Sequence, residues 1–349
     1  MTFHGGDIYR QQIEYDFSVN VNPLGMPSAC IEAAKRAVEM ASHYPDTEAE
    51  ALTRAIALSK GVAEDEIIVA NGAAELIYMF CHALRPAKVL TVAPAFTEYE
   101  CAVRAAGGSV IYYNLKECYN RFVLNDSFID YINDDLDAVI LCNPNNPTAE
   151  LIDSDILIRI ADKCEKLGIF FLLDECFMPF VVNNYKYSMI GENGYRKYEH
   201  MVVLRAFTKI YAMAGLRLGY ALSVNRSLLE GMKSQTQPWN VSVIAQMAGI
   251  EALRDDLYLD KTIKLINEEK EYLLTELRKL PIKKLYDTDA NFLLFKTDKN
   301  LKAKLLEKKI LIRSCEDFEA LSNEYFRIAI RSHGENIVLI DALNEIYLH

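Results

Sequence analysis

The sequence predicts an α/β fold, a large domain with a mostly parallel sheet and helices on both faces, joined to a smaller α+β domain. Three observations carry this. Apolar β-type runs alternate with helical patterns through the middle of the chain. Those runs are continuously apolar, as strands covered on both faces are. The last hundred residues change character, to a long charged helix followed by short strands.

The strand runs, in order, are "EIIVAN" (66–71), "KVLTVAP" (88–94), "SVIYYNL" (109–115), "DAVILCNP" (137–144), "IFFLLDE" (169–175) and "MVVLRAF" (201–207). Amphipathic segments lie between several of them. "DSDILIRIADKCEKLG" (153–168) reads as a helix with Asp153 or Ser154 as cap and Gly168 as stop. A charged helical stretch over roughly 254–279 precedes "NFLLFKT" (291–297), "KKILIRS" (308–314), "YFRIAIRS" (325–332) and a closing helix. The expected division is a large domain at 41–244, with an N-terminal arm (1–40) and a small C-terminal domain (245–349). No repeat or linker run separates them, so they are expected to pack as one body. Ligands of such sheets gather at the carboxyl ends of the strands.

At 349 residues and 51% hydrophobic, the chain can bury a sizeable core. A net charge of −11 argues against nucleic acid or an anionic membrane as partner, though a few local arginines can still hold a small anion. The eight cysteines form no C-x-x-C pair and no secretory leader opens the chain, which points to reduced thiols in a cytoplasmic protein. Apolar runs such as "GIFFLL" fall far short of the ~20 residues of a membrane helix. The six histidines show no ligand spacing, so no metal is expected. G-x-G-x-x-G, Walker, G-x-S-x-G and H-E-x-x-H motifs do not occur.

Several strand ends carry chemistry. "VILCNPNNPT" (139–148) breaks a strand into Asn and Pro, either a plain turn or a set of amides at the mouth of the sheet. Asp174 ends an apolar strand, where a partly buried carboxylate must find a cation or donor; taken alone, its first reading is a helix cap or structural ion pair. In "LRAFTKIYAMAGLRLGY" (204–220), Lys209 stands among apolar neighbours, and burial makes an amine easier to deprotonate. Arg217 follows eight residues later. "GAAELIYMF" (72–80) opens a helix with glycine and small residues, whose N–H groups can hold phosphate. On a strand, Arg327, Ala329 and Arg331 would share one face, making a two-guanidinium cleft, with Arg313 on a neighbouring strand. An amine, an acid for a pyridine nitrogen and a phosphate cup are together what pyridoxal phosphate requires.

The ordered set NPNNPT, DE and T-K-x-x-x-x-A-G-L-R-x-G-Y resembles fold-type-I pyridoxal-phosphate enzymes of the histidinol-phosphate aminotransferase group, over essentially the whole chain. Within it, "HGGDI" (4–8), "DFSVNVNPLGMP" (16–27), "QPWNVS" (237–242), "ILIRSCEDF" (310–318) and "FRIAIRS" (326–332) are most similar to the threonine-phosphate decarboxylase branch.

The resemblance implies pyridoxal 5'-phosphate as cofactor, Lys209 as the lysine that joins it, and Asp174 as partner of the pyridine nitrogen. Asn146 would bond the ring oxygen and Phe96 would stack on the ring. Gly72, Ala73 and Ala74, with Thr208 and Arg217, would hold the phosphate. Tyr44 would reach the partner subunit's cofactor, so a homodimer with shared active sites is implied. Arg327, Arg313, Arg331, Asn20 and His4 would bind substrate. Two departures stand out: Phe177 replaces the usual Tyr, and Ala206 replaces a hydroxyl residue three positions before the lysine.

The implied activity is decarboxylation of O-phospho-L-threonine, or O-phospho-L-serine, to an amino-alcohol phosphate, as in cobalamin side-chain synthesis. The alternative is transamination of histidinol phosphate or a related amino acid. A remoter alternative is a pyridoxal-phosphate sensor domain without turnover. Such domains come attached to a DNA-binding module, for which the residues before 16 are too few.

Overall fold

The computed structural model describes residues 5–191, 194–298 and 300–348. Seven strands form the central sheet: β1 (Ile67–Ala70), β2 (Lys88–Ala93), β3 (Ser109–Asn114), β4 (Ala138–Cys142), β5 (Phe170–Asp174), β6 (Met201–Ala206) and β7 (Gly219–Leu222). Their order is β1-β7-β6-β5-β4-β2-β3. All run parallel except β7, which is antiparallel to both neighbours. A parallel return needs a full crossover. The β6–β7 link is spent instead on the short helix Phe207–Ile210 and the turn that carries Arg217.

Burial explains these strands. Val139, Ile140 and Leu141 in β4 and Leu172 and Leu173 in β5 are fully buried. Each such side chain stabilises the fold by about 1.5–3 kcal/mol relative to exposure. The helix Ser154–Leu167 covers β5; Oδ1 of Asp153 accepts from the amides of Asp155 and Ile156, and Gly168 stops the helix at φ 69°.

The C-terminal part holds a four-stranded antiparallel sheet of β8 (Lys284–Leu285), β9 (Phe292–Lys296), β10 (Arg313–Ser314) and β11 (Tyr325–Ala329), in the order β8-β9-β11-β10. The N-terminal arm is woven into it. Tyr15–Asp16 pairs in parallel with Ile310–Leu311, and the amide of Ala329 donates to Phe17 O at 2.8 Å. The arm then reaches the large sheet, where the amide of Asn22 donates to Lys209 O at 3.0 Å.

Two expectations change. "KKILIRS" is not one strand: Ile310–Leu311 pairs with the arm, and only Arg313–Ser314 joins β11. "YFRIAIRS" ends as a strand at Ala329, so the alternation that would align Arg331 with Arg327 does not reach it. The cause is the helix His333–Leu348, announced by the S-x-x-E spacing of Ser332 and Glu335. Glu335 accepts from the amide of Ser332 at 3.1 Å and from Nη2 of Arg331 at 2.7 Å. Among the described residues no helix is long and apolar enough to cross a membrane.

Candidate active site

A cavity of about 430 Å³ opens at the carboxyl ends of the parallel strands, between the central sheet, the arm and the small sheet. Phe96 follows β2, Asn146 follows β4, Asp174 ends β5, and Thr208 and Lys209 follow β6; all five line it. A larger hollow of about 650 Å³, bordered by Thr47, Arg226 and Trp239, receives none of these groups.

Lys209 sits half-buried on the wall. Burial first, then the positive charges of Arg327 and Arg217, push its amine down from 10.5 to about 8. Asp174 is buried, and its two oxygens are fixed by different donors: Oδ2 accepts from the Tyr99 hydroxyl at 2.8 Å, Oδ1 from the Cys176 amide at 2.9 Å. Tyr99 in turn meets Phe96 edge-on, with ring centroids 5.6 Å apart. A carboxylate so held cannot swing away from the cavity.

Ala73 and Ala74 open the helix Ala73–Leu84, which has no capping side chain. Gly72 precedes it at φ 90°, and the guanidinium of Arg217 lies directly above: a Cβ on Gly72 would stand 2.7 Å from Nη2. Arg217 itself adopts φ 60° and donates from Nη1 to Ala214 O at 3.2 Å. Unspent amides at a helix N-terminus beneath a guanidinium form a cradle for phosphate.

The opposite wall is cationic. Arg313 and Arg327 face each other across β10 and β11 as register partners, and both are buried. Arg327 donates from Nη2 to Ser18 O at 2.8 Å and from Nη1 to Asn146 Oδ1, while its buried Nε has no partner among the described residues. Burial, chiefly, lowers its guanidinium to about 10, which leaves it charged at neutral pH. Arg313 grips both oxygens of Asp317 at 2.8 Å through Nη2 and lies over the Phe318 ring. Two guanidiniums against one carboxylate leave the wall net positive. Asn20, buried beside them, keeps Oδ1 without a partner among the described residues.

Other expected residues lie elsewhere. Arg331 does not line the cavity; it is held by Glu335 at the start of the last helix. Tyr44 is 78% exposed and stacks on Trp239 at 4.2 Å, away from the cavity of its own chain. His4 falls outside the described residues, although Gly5 borders the cavity. Phe177 and Ala206 both line it, so neither supplies a hydroxyl there; Phe177 packs edge-on against Phe292.

Sequence reasoning passed over Tyr99, Ser18, Asn22 and Asp317, the groups that orient Asp174, Arg327, the Lys209 backbone and Arg313. Tyr99 stands three residues after Phe96, and Asp317 four after Arg313, spacings that put them within reach. The Ser18 contact is through a backbone carbonyl and leaves no trace in residue type.

Amine, buried carboxylate, aromatic face, amide and phosphate cradle converge on one cavity, and these residues fit pyridoxal phosphate. The orphan Arg327 Nε adds a donor for an anion.

Residues 12–343 match the family model "Aminotransferase class I and II". The chain is 35% identical to the threonine-phosphate decarboxylase of Salmonella typhimurium, covering 95% of this chain and 90% of that one. It is 30% identical to the adenosylcobalamin biosynthesis bifunctional protein CobDQ of Leptospira interrogans, covering 95% of this chain and 38% of that one. The crystal structure of the histidinol-phosphate aminotransferase from Clostridium acetobutylicum superposes with a TM-score of 0.88 at 31% identity, covering 95% of this chain and 98% of that one.

Proposed function

The chain belongs to the aminotransferase class I and II family, and we propose that within it the protein is a pyridoxal 5'-phosphate-dependent lyase. Its reaction is the decarboxylation of O-phospho-L-threonine, with O-phospho-L-serine as a second substrate. The products are CO2 and an amino-alcohol phosphate, of the kind used in cobalamin side-chain synthesis. One observation carries this reading: Arg313 and Arg327 stand side by side on the wall of the cavity that holds Lys209. A phosphorylated amino acid brings two anionic groups and needs two cationic anchors, each gripped as guanidinium grips oxyanions. Histidinol phosphate brings one. The 35% identity to a threonine-phosphate decarboxylase supports the same reading.

When bound, pyridoxal phosphate withdraws electrons from whichever bond at the amino acid's Cα stands perpendicular to its ring. The residues decide which bond that is. Arg327 and Arg313 hold the substrate's anionic groups so that the Cα–carboxyl bond takes that orientation. Asp174, pinned by Tyr99 and the Cys176 amide, would be the partner of the pyridine nitrogen. Phe96 would cover the ring face, Asn146 would meet the ring oxygen, and Gly72, Ala73, Ala74, Thr208 and Arg217 would hold the phosphate. Asn20 offers an acceptor toward the substrate. Lys209, its amine lowered to about 8, exchanges a proton readily near neutral pH and returns one to Cα after CO2 leaves.

In this reading the protein is a cytoplasmic homodimer in which Tyr44 of each subunit completes the partner's site. Residues 41–244 form the cofactor domain, and residues 1–40 with 245–349 form the arm and small domain. The test is incubation of the cofactor-loaded protein with phosphothreonine and no keto acid. CO2 and aminopropanol phosphate should appear in equal amounts. The likeness to a histidinol-phosphate aminotransferase favours transamination as the second reading; amino transfer to 2-oxoglutarate without CO2 would establish it and overturn the first.

A further inference from the structure

Behind the segment that carries Lys209 lies a separate cavity of about 250 Å³. Ala206, Phe207 and Ile210 form its floor, so the short helix bearing Lys209 is the wall between it and the active site. Two cations border it, Lys60 from the last turn of the helix Glu50–Lys60 and Arg205 from β6.

The two cations are not equally satisfied. Arg205 spends Nε and Nη2 on Glu175 and Ser188, leaving Nη1 without a partner among the described residues. Glu175 is fully buried and saturated, accepting also from the Ser188 hydroxyl and the Met189 amide. Lys60 makes no hydrogen bond or ion pair with any described residue. Burial, and then the charge of Arg205, push its amine down from 10.5 to about 8. Lys60 is half-buried, and an ammonium drawn partly out of water without a counter-charge is favoured by losing its proton or gaining an anion. Ser59, Ser188 and Tyr220 add hydroxyls to the same lining.

We propose that this cavity is a second anion site, in which Lys60, Arg205 Nη1 and the neighbouring hydroxyls bind a small phosphate-bearing molecule behind the Lys209 helix. One carboxylate, Glu175, offsets one of the two cations, so the lining keeps a net positive charge. The volume suits an inorganic phosphate or the phosphate end of a small metabolite. The site uses none of the groups given to the active cavity except the backs of Ala206 and the Lys209 helix.

Calorimetric titration of the cofactor-loaded protein with inorganic phosphate tests it. The double variant Arg313→Gln/Arg327→Gln, which removes both anchors from the active cavity, isolates the second site. In that background phosphate uptake should persist, Lys60→Gln should weaken it about 10- to 100-fold, as losing a charged hydrogen-bond partner does, and Lys60→Arg should retain it. Lys60→Gln alone should leave the cofactor's visible spectrum and its turnover without added phosphate unchanged. In the double variant, uptake that Lys60→Gln leaves intact, or the complete absence of uptake, overturns the proposal. Neither result bears on the decarboxylation itself.

Discussion

Arg327 donates from Nη1 to Oδ1 of Asn146, joining a strand of the small sheet to the loop after β4 across 181 positions of sequence. The same guanidinium holds Ser18 O of the arm. The residue proposed to anchor the substrate and the one proposed to meet the cofactor are thus one hydrogen-bonded unit. Arg327→Ala is expected to lower kcat/KM by a few kcal/mol of transition-state stabilisation. Asn146→Ala should cost less, and the double variant should fall short of the sum by about 0.5–3 kcal/mol, because the two share a partner. Steady-state kinetics on the four proteins measure this. Strict additivity would mean that the bond does not couple the two groups.

Lys209 gives a pH signature without any cofactor. Its folded amine titrates near 8, against 10.5 ordinarily. Below about pH 8 the amine is charged in both states and the folded protein bears the burial penalty. Between about 8 and 10.5 the unfolded chain binds more protons, so stability rises with pH, and above that the penalty is gone. Lys209→Met should therefore raise the Tm of cofactor-free protein at pH 7, with the gain shrinking steadily toward pH 10. Melting curves of both proteins across that range check it; a constant offset would place the amine in water.

Much of this site is legible in residue type and spacing, because apolar strands that stop at a polar residue deliver it to the sheet's rim. That rule places Asp174 at the end of β5, and it brings Asn146 and Lys209 to the segments that follow β4 and β6. What escapes is orientation. Ser18 acts through its carbonyl, and Tyr99 reaches Asp174 across 75 positions, a distance that only the packed sheet closes. Arg331 shows a local signal losing to its neighbour: two-residue alternation in "RIAIRS" points it at the cavity, yet S-x-x-E beginning at the next residue starts a helix and takes the guanidinium. The helix turn delivers Glu335, which accepts from the Ser332 amide and hydroxyl as well as from the Arg331 guanidinium.

Arg331 and Arg327 should accordingly part company on substitution. Arg331→Gln removes a partly exposed pair with Glu335 and should cost under about 1 kcal/mol of stability. Its kcat/KM for phosphothreonine should stay within about threefold of the parent. A loss comparable to that of Arg327→Ala would return Arg331 to the substrate.

Gly72 is where backbone and ligand requirements coincide. At φ 90° an L side chain is strained, and a Cβ would press to 2.7 Å from Arg217 Nη2. Gly72→Ala therefore has two effects. The backbone at φ 90°, ψ 166° is a region open essentially to glycine and costs an alanine about 1–3 kcal/mol, and the guanidinium must move off the helix N-terminus it covers. The second effect falls on phosphate binding, because a displaced charge no longer completes the cradle of Ala73 and Ala74. Pyridoxal phosphate affinity, followed by visible absorbance on titrating apoprotein, should drop by tenfold or more, roughly the worth of one charge-assisted contact. The Tm of apoprotein should fall only by the strain. If affinity is lost no faster than stability, Arg217 does not serve the phosphate, and the cradle is a turn like any other.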